Sequence, residues 1–125
     1  MTTAQLHHIE RLLLRERGRI LRSLDQLRPP ASEAERAEGE GGFGRPLHPA
    51  SLATSAIAHE QTLALAERER RYLSRIDEAL ERLNEDPDGF GRCQACGREI
   101  PLTRLEFVPH SRYCLECKAR IGEEG

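Results

Sequence analysis

Residues 93–117 read CQACGREIPLTRLEFVPHSRYCLEC and hold all four cysteines of the chain, as two C-x-x-C pairs with seventeen residues between them. Each pair can set two thiolates on one side of a tight loop, and the return between them is long enough for the pairs to meet around one tetrahedral ion. Zinc suits such a donor set best. Because Cys93, Cys96, Cys114 and Cys117 fill every coordination position with sulfur, no position is left for water or substrate, and the expected site is structural. Gly97, directly after Cys96, supplies the residue without Cβ that a knuckle turn needs, and Gly91 lets the chain enter the first knuckle. Lys118-Ala119-Arg120-Ile121 predicts a short helix leaving the second knuckle. A redox pair and an iron–sulfur site share the C-x-x-C spacing and stand as alternatives.

Upstream of this module the pattern is helical. Asn84-Glu85-Asp86-Pro87-Asp88-Gly89 stops a helix and turns, since Pro87 disfavours helix at Asp86 and Gly89 permits positive φ. Before it, a periodic stretch from Pro49 to about Asn84 sets Leu52, Ala56, His59, Leu63, Ala66, Leu73, Ile76, Leu80 and Leu83 on one broad face, with Pro49 suited to a first turn. An earlier stripe of Leu6, Ile9, Leu13, Ile20, Leu24 and Leu27 predicts a helix capped by Thr2 or Thr3 and ended by Pro29-Pro30. Gly18 sits inside it at a cost of about 1 kcal/mol relative to Ala. Two helices with one apolar stripe each bury those stripes most economically against each other. The predicted fold is therefore mainly α: an antiparallel helical hairpin (coiled coil) over residues 1–86, with a tip loop at about 29–48, followed by a small C4 zinc-finger module with a short C-terminal helix over 87–125.

Composition bounds the function. A chain of 125 residues with 38% hydrophobic and 32% charged residues can bury only a modest core. No stretch approaches a membrane span, the N-terminus has no uninterrupted apolar leader region, and paired cysteines without an oxidising context favour metal over disulfides, so a cytoplasmic protein is expected. The net charge is −2, unevenly spread: Arg11, Arg15, Arg17, Arg19, Arg22 and Arg28 make the first arm basic, whereas Glu33, Glu35, Glu38 and Glu40 make the connection acidic. That balance falls short of what nonspecific nucleic-acid binding needs, so a protein partner is expected. There is no phosphate-cradling glycine loop and no nucleophile–base pair, so no enzyme is expected either. His7 and His8 lack a ligand spacing, and His59 reads as a polar interruption of an apolar face.

Phe90-Gly91-Arg92-Cys93-x-x-Cys96-Gly97-x-x-Ile100, then Arg104-Leu105, Pro109 and Cys114-x-x-Cys117, resemble the zinc module of the DksA/TraR family of bacterial RNA polymerase regulators. The likeness extends from about residue 48 to 120 and includes the segment Leu65–Leu80, similar to the family's coil. It implies one structural zinc, RNA polymerase as partner, a hairpin inserted into the polymerase secondary channel with the module at the rim, and no direct reading of promoter DNA. Arg68 and Arg75 match basic coil positions used against the polymerase. At the tip the family carries Asp-Pro-x-Asp-x-Ala. Here the matching stretch is His48-Pro49-Ala50-Ser51-Leu52-Ala53, which keeps Pro49 and Ala53 and puts His48 and Ser51 in place of both acids. The eight residues after Cys117 are too few for the family's long C-terminal helix. Two other classes remain open from the sequence: a zinc-stabilised coiled-coil adaptor or self-associating protein with another partner, and a thiol-based redox or metal sensor.

Overall fold

The structure is a computed structural model that describes residues 1–27 and 49–122, with the side chains of 49–55 left undescribed. Two long helices, α1 (Thr3–Leu27) and α2 (Pro49–Glu85), pack against each other, and two short ones, α3 (Leu102–Phe107) and α4 (Leu115–Ile121), belong to the cysteine-bearing module. The tip loop expected at 29–48, including His48, and the acidic run Glu33–Glu40 lie outside the described residues.

α1 begins on a reciprocal cap. The Gln5 amide donates to Thr2 Oγ1 at 3.1 Å while the Thr2 amide donates to Gln5 Oε1 at 2.8 Å, so two of the unsatisfied amides at the helix start are paired. Helix continues through Gly18, whose missing Cβ leaves only ordinary van der Waals room beside Arg22. The predicted stripe is the buried one: Ile9, Leu13 and Ile20 are fully enclosed, with Leu6 and Leu24 half-buried.

On α2 the buried face is narrower than the sequence stripe. Ala66, Ile76, Ala79 and Leu83 are buried and Tyr72, Leu73 and Leu80 are half-buried, whereas Ala56, His59 and Leu63 are exposed. Ala79, outside the expected stripe, is fully buried, and Leu80 packs against the same cluster while half-buried.

The seam of α1 jumps from Leu13 to Ile20, and a polar layer fills the gap. Arg17 Nε donates to Asp77 Oδ1 at 2.7 Å across the hairpin. Tyr72 Oη donates to Glu16 Oε1 at 3.2 Å, and Arg19 Nη2 pairs with the same oxygen at 3.0 Å. The Arg19 bond holds the Glu16 carboxyl below its ordinary range despite partial burial. Burial and the Glu16 charge together raise the Tyr72 phenol. Against Tyr72 stands the His110 ring, edge to face with centroids 4.9 Å apart. The layer thus reaches from α1 through α2 into the module.

One buried cluster joins Ile9, Leu13 and Ile20 of α1, Ile76, Ala79 and Leu83 of α2, and Phe90, Cys93, Ile100, Leu105 and Cys117. α3 packs against α1 and supplies Leu105, which is fully buried. This helix was not expected. It is a six-residue turn started by Pro101, whose carbonyl accepts from the Arg104 and Leu105 amides at 3.0 and 3.2 Å. Gly89 differs from expectation as well, since among the described residues the positive φ values fall at Gly91, Gly97 and Gly122. Gly89 is instead tied by its amide to Asp86 Oδ1 at 3.1 Å, and a Cβ there would collide with that carboxylate.

Candidate metal centre

The two knuckles are built by backbone geometry before any metal is considered. Gly91 at φ 89° turns the chain off the α2 exit and accepts the Ile100 amide at 2.7 Å, and Arg92 pairs with Glu99 as an isolated antiparallel bridge. Between them the Gly97 amide donates to Cys93 O at 2.9 Å with Gly97 at φ 77°, a left-handed position that a side chain would strain. Cys93 N to Arg98 O at 2.8 Å closes this loop, so Cys93 and Cys96 face the same side. The second knuckle is tied to the first by the Gln94 amide on Arg112 O at 2.8 Å. Cys114 then caps α4, accepting the Cys117 amide on its sulfur at 3.5 Å, and Gly122 at φ 93° closes the helix.

The four sulfurs meet. All Sγ atoms lie within 4.8 Å of one another, Cys96 and Cys114 at 3.9 Å, and no disulfide joins them. A tetrahedron of thiolates around zinc, with bonds of about 2.3 Å, has edges of about 3.8 Å. The set fits the ion with little adjustment, and Cys93, Cys96, Cys114 and Cys117 hold one structural zinc. Bound there, zinc ties the α2 exit to α4.

The thiols share protons unevenly. Burial pushes the Cys93 thiol up, but hydrogen bonds from the backbone at Cys114, Cys96 and Ala95 outweigh it and bring it down to about 6. Cys117 is pushed up to about 12, first by its hydrogen bond with Cys114 and then by burial. A dication among the sulfurs favours the thiolate form of all four. Arg120 Nη2 reaches Cys117 Sγ at 3.5 Å, a contact the sequence reading did not anticipate. Its signal was present as an arginine three residues after the last ligand on a predicted helix.

The other expected site residues are apart from this centre. Pro49, Ser51 and Ala53 occupy the first turns of α2, described only as backbone, and about 48 Å of helix separates Ala53 from Glu85 at 1.5 Å per residue. Arg68 and Arg75 are exposed on α2, seven residues apart and so on one face. His8 carries no ligand role and lies 3.8 Å from Glu106. Among the described residues no helix is long and apolar enough to cross a membrane.

Comparison with known proteins bears on the whole chain. A family model described as the prokaryotic dksA/traR C4-type zinc finger matches residues 89–121. The RNA polymerase-binding transcription factor DksA of Salmonella typhimurium is 32% identical over 128 aligned positions, covering 99% of this chain and 77% of that protein. The protein of the same name in Haemophilus influenzae is 39% identical over 78 residues, covering 61% of this chain and 52% of the relative. The solved structure of transcription factor DksA2 from Pseudomonas aeruginosa superposes with a TM-score of 0.74 at 34% identity, covering 97% of this chain and 85% of that one.

Proposed function

Since the chain belongs to the DksA/TraR family of C4-type zinc-finger proteins, we propose that it binds RNA polymerase and regulates transcription by occupancy, without catalysing a reaction. The observation that carries this reading is the likeness over nearly the full chain to relatives named RNA polymerase-binding transcription factor. In finer terms, the hairpin of residues 1–86 enters the polymerase secondary channel and the module of residues 87–125 rests at its rim. The α2 helix supplies the required reach, and Arg68 and Arg75 face acidic polymerase surface from its exposed side. His48, Pro49, Ser51 and Ala53 form the contact nearest the catalytic centre. Acting on polymerase, the protein works in the cytoplasm and makes no sequence-specific DNA contact.

The tip supports one refinement. With His48 and Ser51 in place of the family's acids, the protein fills the channel without delivering carboxylates near the catalytic magnesium, so occupancy and effect separate. The same absence is what favours the second reading, an adaptor with a different partner. Co-purification with core RNA polymerase, repeated with a known secondary-channel binder in excess, decides between them. Retention that the competitor abolishes supports the channel reading. Failure to bind core enzyme sinks it and leaves the adaptor.

A further inference from the structure

Four thiolates around one dication make a doubly negative centre, and such a centre is stabilised by donors and cations placed just outside the ligands. The cations near this one are mostly committed elsewhere. Arg98, in the first knuckle, pairs with Glu116 at 3.8 Å, and Arg92 donates towards Gly97 O at 3.5 Å. Arg112 reaches Glu78 Oε1 at 3.5 Å and Arg104 donates to Tyr113 O at 3.3 Å. Lys118 adjoins Cys117 in sequence, yet makes no hydrogen bond to a sulfur among the described residues, and its charge is felt at His110.

Arg120 is different. Its Nη2 lies 3.5 Å from Cys117 Sγ, across one turn of α4. The spacing of three residues places guanidinium and thiol on the same helix face, so the contact is fixed by the helix that carries the ligand. Cys117 is also a buried sulfur, 3% exposed, reached by a guanidinium whose own side chain is exposed on α4. The Cys117 amide donates to Cys114 Sγ at 3.5 Å, so a main-chain donor and a side-chain cation act on the two ligands of the second knuckle.

We propose that Arg120 is an outer-sphere positioning residue of the metal centre: by donating to the Cys117 thiolate it offsets part of the negative charge of the ligand set and slows loss of the metal. The inference rests on the four-cysteine zinc reading and goes beyond it in assigning metal retention to a residue outside the ligand set. It follows that two cations two residues apart on α4 are not equivalent, since only one is bonded to sulfur.

The test uses the zinc-loaded full-length protein and a chromophoric chelator in excess, with Arg120→Gln, Arg120→Lys and Lys118→Gln as variants. Arg120→Gln is expected to release zinc about 10-fold faster than wild type, in line with the loss found on removing outer-shell partners of metal ligands. Lys118→Gln removes the same formal charge from the same helix and is expected to leave the rate within about two-fold. Arg120→Lys, keeping charge and losing the planar fork, falls between. In the cobalt-substituted protein the thiolate-to-metal charge-transfer band shifts in Arg120→Gln and not in Lys118→Gln, a signature that mere weakening of α4 would not produce. Equal release from wild type and Arg120→Gln overturns the proposal, as does an equal effect of Lys118→Gln. A wild-type protein that holds no zinc defeats the metal reading itself, a result separable from either.

Discussion

The hairpin seam and the cysteine module hold together by different physics. Along the seam, Ile9, Leu13 and Ile20 meet Ile76, Ala79 and Leu83, a zipper of aliphatic contacts interrupted once by the Glu16, Arg17, Tyr72 and Asp77 layer. In the module the large buried side chains are Phe90, Ile100 and Leu105, with Cys93 and Cys117 enclosed beside them. Of its other large apolar groups, Leu102 and Tyr113 are half-buried against the cluster, and Phe107, Leu115 and Ile121 are exposed by 88%, 66% and 46%. Apolar burial alone does not hold so small a unit, and metal–thiolate bonds supply the remainder. The difference teaches where each region tolerates change. The seam loses stability gradually with each lost methylene, while the module depends on four atoms at once. The two still share one buried cluster, so failure of the module should be felt by the end of the hairpin nearest it.

The largest effect expected is from the ligands. Structural zinc contributes about 10–16 kcal/mol of apparent binding free energy at neutral pH. Cys96→Ser should therefore abolish stoichiometric zinc and strip amide protection from residues 90–121, while the seam around Ile20 and Ile76 keeps most of its own. Elemental analysis with hydrogen exchange reads both. Unchanged protection in the module would break the contrast between metal-held and packing-held regions.

Next in size come core truncations. Ile76→Ala in the seam should cost about 2–5 kcal/mol, and Leu105→Ala a similar amount, because both side chains are fully buried. They differ in consequence. Ile76→Ala leaves the thiols in place and should not change zinc affinity, whereas Leu105→Ala empties the space between α3 and α1 and should loosen module and hairpin together. Denaturation monitored separately by helix signal and by zinc release separates the two outcomes. Coincident transitions in Leu105→Ala support a shared core; independent ones divide it.

The third effect comes from His110, which stands where the regions meet. Its Nδ1 is buried without a hydrogen-bond partner, the ring packs against Tyr72, and the charges of Arg75 and Arg82 from α2, Lys118 from α4 and Glu16 from α1 act on it. Burial first, then the Arg75 and Lys118 charges, bring its pKa down from 6.5 to about 4. Between those values the unfolded chain binds more protons than the folded one, so stability rises with pH across the window, is complete above it, and is lost as pH falls through it. Discounted for the ring's partial exposure, the contribution is about 2 kcal/mol. His110→Phe should flatten this part of the pH profile, since acid attack on the thiolates is common to both proteins. An identical slope in the variant would remove His110 from the junction's electrostatics.

How far the sequence foretold these features follows from the same contrast. The α1 stripe and the paired cysteines were legible because each is a repeated pattern: one carries helical period, the other donor atoms at ligand spacing. The burial of Ala79 was not, since which neighbour of a stripe faces the partner helix is set by the packing angle, a tertiary property. Nor was α3, where six residues after Pro101 are too few to show a period. Gly91 and Gly97 were recognised because a knuckle requires their φ. Gly89 was misjudged because the Asp86 carboxylate closes that turn without positive φ. The His110 and Arg120 contacts join residues whose neighbours are set by the folded module, so only the structure could pair them.

The smallest effect on stability is expected where the functional effect is expected to be large. Arg68 and Arg75 are exposed on α2. Changing exposed helix charges alters stability by less than about 0.5 kcal/mol in most proteins. Reversing both to Glu should therefore leave zinc content, helix signal and, above the His110 window where that ring is neutral, the melting transition unchanged. If the proposed contact with acidic polymerase surface is right, the same double change places like charges across that interface, so affinity for core enzyme falls and its dependence on salt weakens. The pair of measurements sharpens the comparison between regions, because it separates a surface used for recognition from the seam and thiols used for folding. Affinity titrations at two ionic strengths, beside thermal melts of the free protein, supply the answer. Unchanged affinity at both salt concentrations would take these arginines out of the interface and leave the hairpin's role to its tip.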